Sequence, residues 1–116
     1  MKWIKLFESY KDIKNILNEL DDICLELNDI GILTNAFYHN KSNIISIDMD
    51  GVESVIKWGD IYDILDRIIT YMSSQDFKLH SIYIDSDNLI NPKEWIKNLN
   101  NNKSYSFNGI SINFIH

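Results

Sequence analysis

The 116-residue sequence predicts a single α+β domain, built from one mostly antiparallel sheet of about five strands with two long helices packed on one face. Three observations predict this fold class. Apolar residues recur at steps of three and four in two long segments, which is the spacing of one face of a helix. Several shorter segments alternate apolar and polar residues, as strands do. The elements follow the order α-β-β-α-β-short α-β-β, which favours hairpins over a parallel sheet.

The first helix is predicted from about residue 10 to residue 30. Ser9 and Asp12 form a plausible capping pair at its start, and Gly31 stands where a left-handed residue ends a helix. Cys24 falls on the apolar side, so we interpret it as a buried, unreactive thiol. The apolar side consists of Ile13, Ile16, Leu17, Leu20, Ile23, Cys24, Leu27 and Ile30.

The next three elements are two strands and a second helix. Residues 32–39 and 43–50 flank the turn-rich stretch NKS and predict a hairpin. Residues 59–75 repeat the helical spacing, with Gly59 or Asp60 as the expected cap.

The last third of the chain predicts one more strand, a short helix and a final hairpin. Residues 78–85 alternate as a strand does, and NPKEWIKNL (91–99) has Asn91 as cap with Glu94 completing the capping box. Asn108 and Gly109 lie between alternating residues in SYSFNGISINFIH, which predicts a tight hairpin at that point.

Charge and composition exclude several classes of function. The net charge is -6, and residues 12–66 hold twelve acidic residues against three lysines. This acidic middle repels phosphate backbones, so we expect no direct nucleic-acid binding, although it suits a basic protein surface. A single cysteine allows neither an internal disulfide nor a cysteine-rich metal site. No apolar run has the length of a membrane span or a secretory signal, so we expect neither membrane insertion nor secretion through a signal peptide.

The most distinctive motif is an apolar run that ends in two spaced carboxylates, IISIDMDGV. Asp48 and Asp50 share a face of their strand, opposite the isoleucines, because side chains alternate across a strand. Asp85 and Asp87 end the third predicted strand in the same way. If those two strands are neighbours, all four carboxylates converge and become candidate ligands for a divalent cation.

This motif resembles the first motif of the haloacid-dehalogenase-like phosphatases. The resemblance implies a magnesium-dependent phosphoryl transfer in which Asp48 is the nucleophile and Asp50 the general acid and base. The hairpin-rich order lacks the alternating strands and helices of that family's parallel sheet. We therefore interpret the resemblance as coincidental and predict a solvated polar edge, with no catalytic residue, metal or cofactor.

The N-terminal segment MKWIKLFESY resembles the start of small accessory or virion-associated proteins of large tailed phages. In such proteins a short amphipathic segment can serve as a targeting sequence. The resemblance implies that residues 1–9 are an extension or targeting segment, and that Leu6, Phe7 and Glu8 match the cleavage pattern of a maturation protease.

These observations predict a non-enzymatic, phage-encoded protein that acts through contacts with a protein partner or with itself. We expect it in the host cytoplasm or in the virion, where it would be a minor component. One alternative is an acidic inhibitor of a host nucleic-acid-binding defence protein, acting by charge complementarity. Its surface would consist of Glu19, Asp22, Glu26, Asp29, Asp48 and Asp50. The other alternative is the magnesium-dependent enzyme that uses Asp48 and Asp50.

Overall fold

The structure is a computed structural model that describes residues 2–52, 54–85, 87–88 and 92–116, with side chains described from Asp12 onward within these ranges. It confirms the predicted α+β class. The elements in chain order are α1 (Lys2–Asp29), β1 (Ile32–His39), β2 (Ile44–Gly51), β3 (Ile56–Lys57), α2 (Trp58–Ser74), β4 (Lys78–Ile84), β5 (Asp87–Asn88), α3 (Pro92–Leu99), β6 (Ser106–Phe107) and β7 (Gly109–Ile115).

Five of the strands form one sheet in the order β1-β2-β7-β4-β5, and every pairing in it is antiparallel. The two short strands β3 and β6 pair separately as a small ribbon. The last strand, β7, lies in the centre of the main sheet between β2 and β4. The sheet is therefore complete only when the C-terminal segment has inserted between strands that precede it in the chain.

The helices cover one face of this sheet and share a core with it. In β2 the buried hydrophobic side chains are Ile45, Ile47 and Met49, and those of β7 are Ile110, Ile112 and Phe114. The helices contribute Ile16, Leu20, Cys24 and Leu27 from α1, six residues of α2 from Trp58 to Met72, and Leu99 from α3. Among the described residues, none of the helices combines the length and the apolar character that a membrane span requires.

Helix α1 is longer than its apolar spacing predicts. It begins at Lys2, so the start near residue 10 and the capping role of Ser9 were wrong. The helix continues through Ser9 because the sequence from Lys2 to Asp29 contains no Gly or Pro to end it. The backbone of residues 2–9 thus belongs to α1, whereas the side chains of Leu6, Phe7 and Glu8 lie outside the described part.

The end of α1 agrees with the prediction. Gly31 has a φ of +87° and its N–H donates to the carbonyl oxygen of Asn28. A residue with a side chain is strained in this left-handed conformation, whereas glycine adopts it freely.

The start of α2 is satisfied by a distant loop and not by a side-chain cap, so the predicted caps Gly59 and Asp60 were wrong. Lys57 occupies the cap position without a side-chain hydrogen bond. The N–H groups of Trp58 and Gly59 donate to the carbonyl oxygens of Tyr105 and Lys103, at 2.8 and 2.9 Å. The polypeptide that follows α3 therefore supplies the acceptors that the first turn of a helix needs. The predicted cap of α3, Asn91, lies outside the described residues.

The predicted hairpin at Asn108 and Gly109 is wrong. Strand β6 pairs with β3, while β7 pairs with β2 and β4, so these two residues form a corner between two sheets. Gly109 lacks the positive φ that a tight Asn-Gly turn needs. A Cβ atom at this position would lie 2.7 Å from Oδ1 of Asp50, so a larger residue would displace that exposed carboxylate.

Candidate functional site on the open face of the sheet

The face of the sheet opposite the helices carries a solvent-open groove of about 650 Å³. Most of its residues come from β1, β2, β7 and β4, at the positions that alternate with the core residues. The groove is lined on the strands by Phe37, His39, Ser46, Asp48, Asp50, Tyr83, Ser111 and Asn113. We call this surface the open face.

A chain of side-chain hydrogen bonds crosses four strands at one end of the open face. His39 Nε2 lies 3.1 Å from Ser46 Oγ, and Ser46 Oγ donates to Asn113 Oδ1. Asn113 Nδ2 in turn donates to Ser81 Oγ at 3.1 Å. The four residues stand on β1, β2, β7 and β4, so the network links the strands through side chains in addition to the backbone.

The directions of these bonds follow from the number of protons available. The amide of Asn113 donates to Ser81, so its oxygen accepts the single hydroxyl proton of Ser46. Ser46 Oγ must then accept from His39, which carries its proton on Nε2. Ser46 is only 3% exposed, and a buried hydroxyl of this kind is stable only when it is hydrogen-bonded. The network therefore holds the ring of His39 and the amide of Asn113 in fixed positions.

The other end of the open face is acidic. Asp48 pairs in register with Asn35 on one side and Ser111 on the other, and Asp50 pairs with Leu33 and Gly109. As the alternation predicts, both carboxylates point away from the core residues of β2.

Three of the four predicted candidate carboxylates line this groove, and the fourth does not. Asp48, Asp50 and Asp85 are among its lining residues. The strands that carry the two pairs are not neighbours, because β7 separates β2 from β4. Asp87 lies beyond the turn that follows β4 and pairs with Ile84, so its register position belongs to the helix-covered face.

Asp85 has a structural role in the corner before β7. Its backbone is left-handed, with a φ of +50°, and its Oδ1 accepts from the N–H groups of Asn108 and Gly109 at 2.9 and 3.0 Å. Its own N–H donates to the carbonyl oxygen of Gly109. In the part of the chain that the structure describes, no group of three or more His, Cys, Asp or Glu side chains is arranged to hold a metal ion.

The acidic stripe of α1 is exposed but lies on the other side of the molecule. Glu19, Asp22, Glu26 and Asp29 are all exposed, and Glu26 forms an ion pair with Arg67 of α2 at 3.0 Å. The buried side of α1 packs in the same core as Ile45 and Ile47, so the sheet separates the stripe from the open face. The predicted acidic surface is thus two surfaces, which a single small partner cannot contact together.

Aromatic side chains complete the open face. The rings of Phe37 and His39 meet edge to face with centroids 4.8 Å apart, and Tyr83 is 37% exposed. Exposed aromatic groups beside fixed polar groups are enriched at the centres of protein interfaces.

Cys24 lies far from this chemistry in the core. It is 2% exposed, and burial raises the pKa of its thiol to about 11, although a hydrogen bond with Thr34 acts in the opposite direction. A thiol in this environment is protonated at neutral pH and is a poor nucleophile.

The chain matches no protein-family model, no curated protein and no solved structure.

Sequence reasoning missed the residues that rigidify the open face. His39, Ser46, Ser81 and Asn113 were not identified as a group, because they come from four segments of the chain. A usable signal was the alternation in GISINFI, where Ser111 and Asn113 stand between core residues. Two polar residues on one face of a strand that is otherwise apolar indicate a face that the core does not cover.

Proposed function

We propose that this is a non-enzymatic binding protein that contacts a protein partner through the open face of its sheet. The observation that carries the proposal is a groove in which aromatic side chains stand beside a fixed hydrogen-bond network. A network whose groups are already positioned loses less conformational entropy on binding than free side chains do.

The chemistry of the groove indicates what the partner presents. Asp48 and Asp50 at one end favour a basic side chain, and arginine suits two carboxylates best because its guanidinium donates to both. Phe37 and Tyr83 favour an apolar or aromatic contact beside it. The proposed partner is therefore a protein surface with an arginine or lysine next to an exposed apolar group.

Site-specific photocrosslinking tests this proposal. A photoreactive phenylalanine analogue at Tyr83 samples the open face, and the same analogue at Tyr71 of α2 samples the helical side. We expect one discrete adduct from position 83 and not from position 71. The adduct should disappear when Asp48 and Asp50 are both replaced by lysine. An adduct that survives this charge reversal, or that forms only from position 71, would exclude the open face as the binding site.

The origin and location predicted for the protein form part of the same proposal. A phage-encoded protein with this surface acts on a host protein in the cytoplasm or occupies a fixed place in the virion. Mass spectrometry of purified phage particles distinguishes the two locations, because absence of the protein from the particle would exclude a place in the virion.

The acidic stripe of α1 supports a second candidate function, the inhibition of a nucleic-acid-binding protein. Its four carboxylates are exposed on the solvent side of one rigid helix. Such an inhibitor should bind more weakly as salt screens the charges, by at least about tenfold between 50 and 200 mM salt. Replacing both Asp22 and Asp29 by lysine should abolish this binding, whereas replacing both Asp48 and Asp50 by lysine should not. An affinity that does not respond to salt contradicts this candidate.

The magnesium-dependent alternative has its own test. A divalent cation that binds the native state raises the melting temperature by mass action. We expect no rise in millimolar magnesium, because Asp48 and Asp50 are not joined by a third His, Cys, Asp or Glu ligand among the described residues. A rise of several degrees that is lost in the Asp48→Asn variant would establish a metal site.

A further inference from the structure

Among the described residues, no strand pairs with the outer side of β1, which lacks the features that block pairing with another strand. It forms one end of the strand order and pairs with β2 over eight residues without a register shift. Its sequence, ILTNAFYH, contains no Lys, Arg, Asp, Glu or Pro. Every second residue of an edge strand directs its N–H and C=O groups away from the sheet, and natural edges are commonly protected by charge, proline or a bulge.

The opposite edge of the sheet is different. Strand β5 has two described residues, and one of them is the charged Asp87. Because β5 pairs only with Tyr83 and Ile84, the rest of this edge is formed by β4, which begins at the charged Lys78, has a register shift between Leu79 and Ser81 and contacts α3. Charge, a bulge and a covering helix are the features that protect an edge from pairing. A second copy that pairs with β1 therefore pairs through its own β1, which gives a closed two-fold dimer and not an open chain.

Exposed leucine side chains stand on both sides of the β1 edge. Leu33 projects on the open face and is 61% exposed. On the helical side, Asn28 of α1 accepts a hydrogen bond from Thr34, which shows that this flank of the helix overlooks β1. Leu25 is one turn from Asn28, so it shares that flank, and it is 56% exposed. Large apolar groups exposed beside an unpaired edge indicate a surface that is covered in the assembled protein.

We infer that two copies of this chain pair β1 with β1 in antiparallel orientation to form a ten-stranded sheet. Residues that face each other in antiparallel strands project on the same face, so the two-fold axis passes through a residue. With the axis at Asn35, Leu33 of one copy faces Phe37 of the other on the open face. With the axis at Thr34 or Ala36, Leu33 faces Asn35 or His39 instead. The register at Asn35 is therefore the one that pairs the two apolar groups.

The size of this interface predicts its strength. Eight residues at about 3.4 Å each give an edge of about 27 Å, and a sheet with one helical layer is roughly 20 Å thick. The contact then buries on the order of 500 Å² on each copy, or about 1,000 Å² in total, which is the lower limit for a specific interface. We therefore expect a dimer that dissociates in the micromolar range. The inference goes beyond the proposed partner binding and does not depend on it: the dimer covers the open face only at Phe37 beside the β1 edge and leaves Asp48, Asp50 and Tyr83 on the inner strands accessible.

Sedimentation velocity at about 5 to 500 μM protein tests the dimer, with matched lysine substitutions at the two edges. In the Asn35→Lys variant two like charges face each other across the axis, so the dissociation constant should rise by at least about tenfold. Asn88→Lys places the same substitution at the β5 edge and should leave the dissociation constant unchanged. Both positions are exposed, so neither variant removes a core contact. A protein that stays monomeric at the highest concentration, or a dimer that Asn35→Lys leaves intact, overturns the inference.

Disulfide trapping tests the register. Two Asn35→Cys copies would have Cα atoms about 4.5 to 5.5 Å apart, which is within the range that a disulfide spans. We expect this variant to form a covalent dimer under mild oxidation, while Asn88→Cys stays monomeric under the same conditions. The native Cys24 does not interfere because it is 2% exposed. Failure of Asn35→Cys to crosslink above the dissociation constant refutes the Asn35-centred register.

Discussion

Replacement of Ser46 by alanine is the most direct test of the network on the open face. Ser46 Oγ makes two side-chain hydrogen bonds, one with His39 and one with Asn113. Each such bond contributes about 1 kcal/mol net to stability. His39 is exposed and can bond to water after the change, whereas the half-buried Asn113 cannot do so fully. We therefore expect Ser46→Ala to lower the free energy of unfolding by about 2 kcal/mol.

Urea denaturation provides the measurement, and Ser111→Ala provides the matched control. Ser111 stands on the same face, two residues from Asn113, and its side chain makes no hydrogen bond to the described residues. Its replacement should change stability by less than about 0.5 kcal/mol. A double-mutant cycle between Ser46→Ala and Asn113→Ala should give a coupling energy of about 1 kcal/mol, because one bond joins the two residues.

Equal losses of stability in Ser46→Ala and Ser111→Ala would refute the reasoning. Such a result would mean that the network adds nothing beyond strand pairing. The comparison requires that the slope of free energy against urea is unchanged, since a changed slope reports an altered unfolded or native state.

Two further predictions concern the core and the end of β2. Burial raises the pKa of the Cys24 thiol from 9.0 to about 11, so above pH 9 the unfolded chain loses this proton before the native state does. The contribution of Cys24 to the free energy of unfolding, measured by urea denaturation, should be constant below pH 9 and should fall by about 2 to 3 kcal/mol towards pH 11. A Cys24→Ala variant that shows the same fall would assign it to other groups. In Gly51→Ala, a Cβ would overlap the backbone carbonyl oxygen of Ser54, so we expect a loss above about 2 kcal/mol. In Gly31→Ala the added Cβ has no atom within 4 Å, so the variant should lose only about 1 kcal/mol from left-handed strain. A larger loss of thermal stability in Gly31→Ala than in Gly51→Ala would contradict this account.

Local patterns predicted the elements well. The hairpin of β1 and β2, the helix α2, the strand β4 and the helix α3 all lie within one residue of the predicted positions where both ends are described. The direction of the Asp48 and Asp50 side chains was also predicted correctly, because it follows from their alternation with Ile45 and Ile47. Each of these features depends on residues that are close in the chain.

Apart from the start of α1, the errors arose where distant segments meet. The cap of α2 depends on the carbonyl oxygens of Lys103 and Tyr105, more than forty positions further along the chain. The Asn108 and Gly109 pair has the composition of a tight hairpin, but both sides of β7 are taken by β2 and β4. The open-face network was missed for the same reason, since its members become neighbours only after the strands pair.

By itself, the sequence determined the kind and position of the longer elements and the buried side of each, because side-chain periodicity along one segment is a local property. The two-residue strands β3 and β5 were not predicted, because they are too short to show a period. Only the tertiary structure decided that β7 separates β2 from β4, that Asp85 closes a corner, and that β1 has no strand on its outer side within the described part of the chain. Strand order depends on contacts between segments far apart in the chain, and alternative orders bury similar apolar areas. Their free energies differ by small terms from packing, turns and hydrogen bonds that no single segment contains.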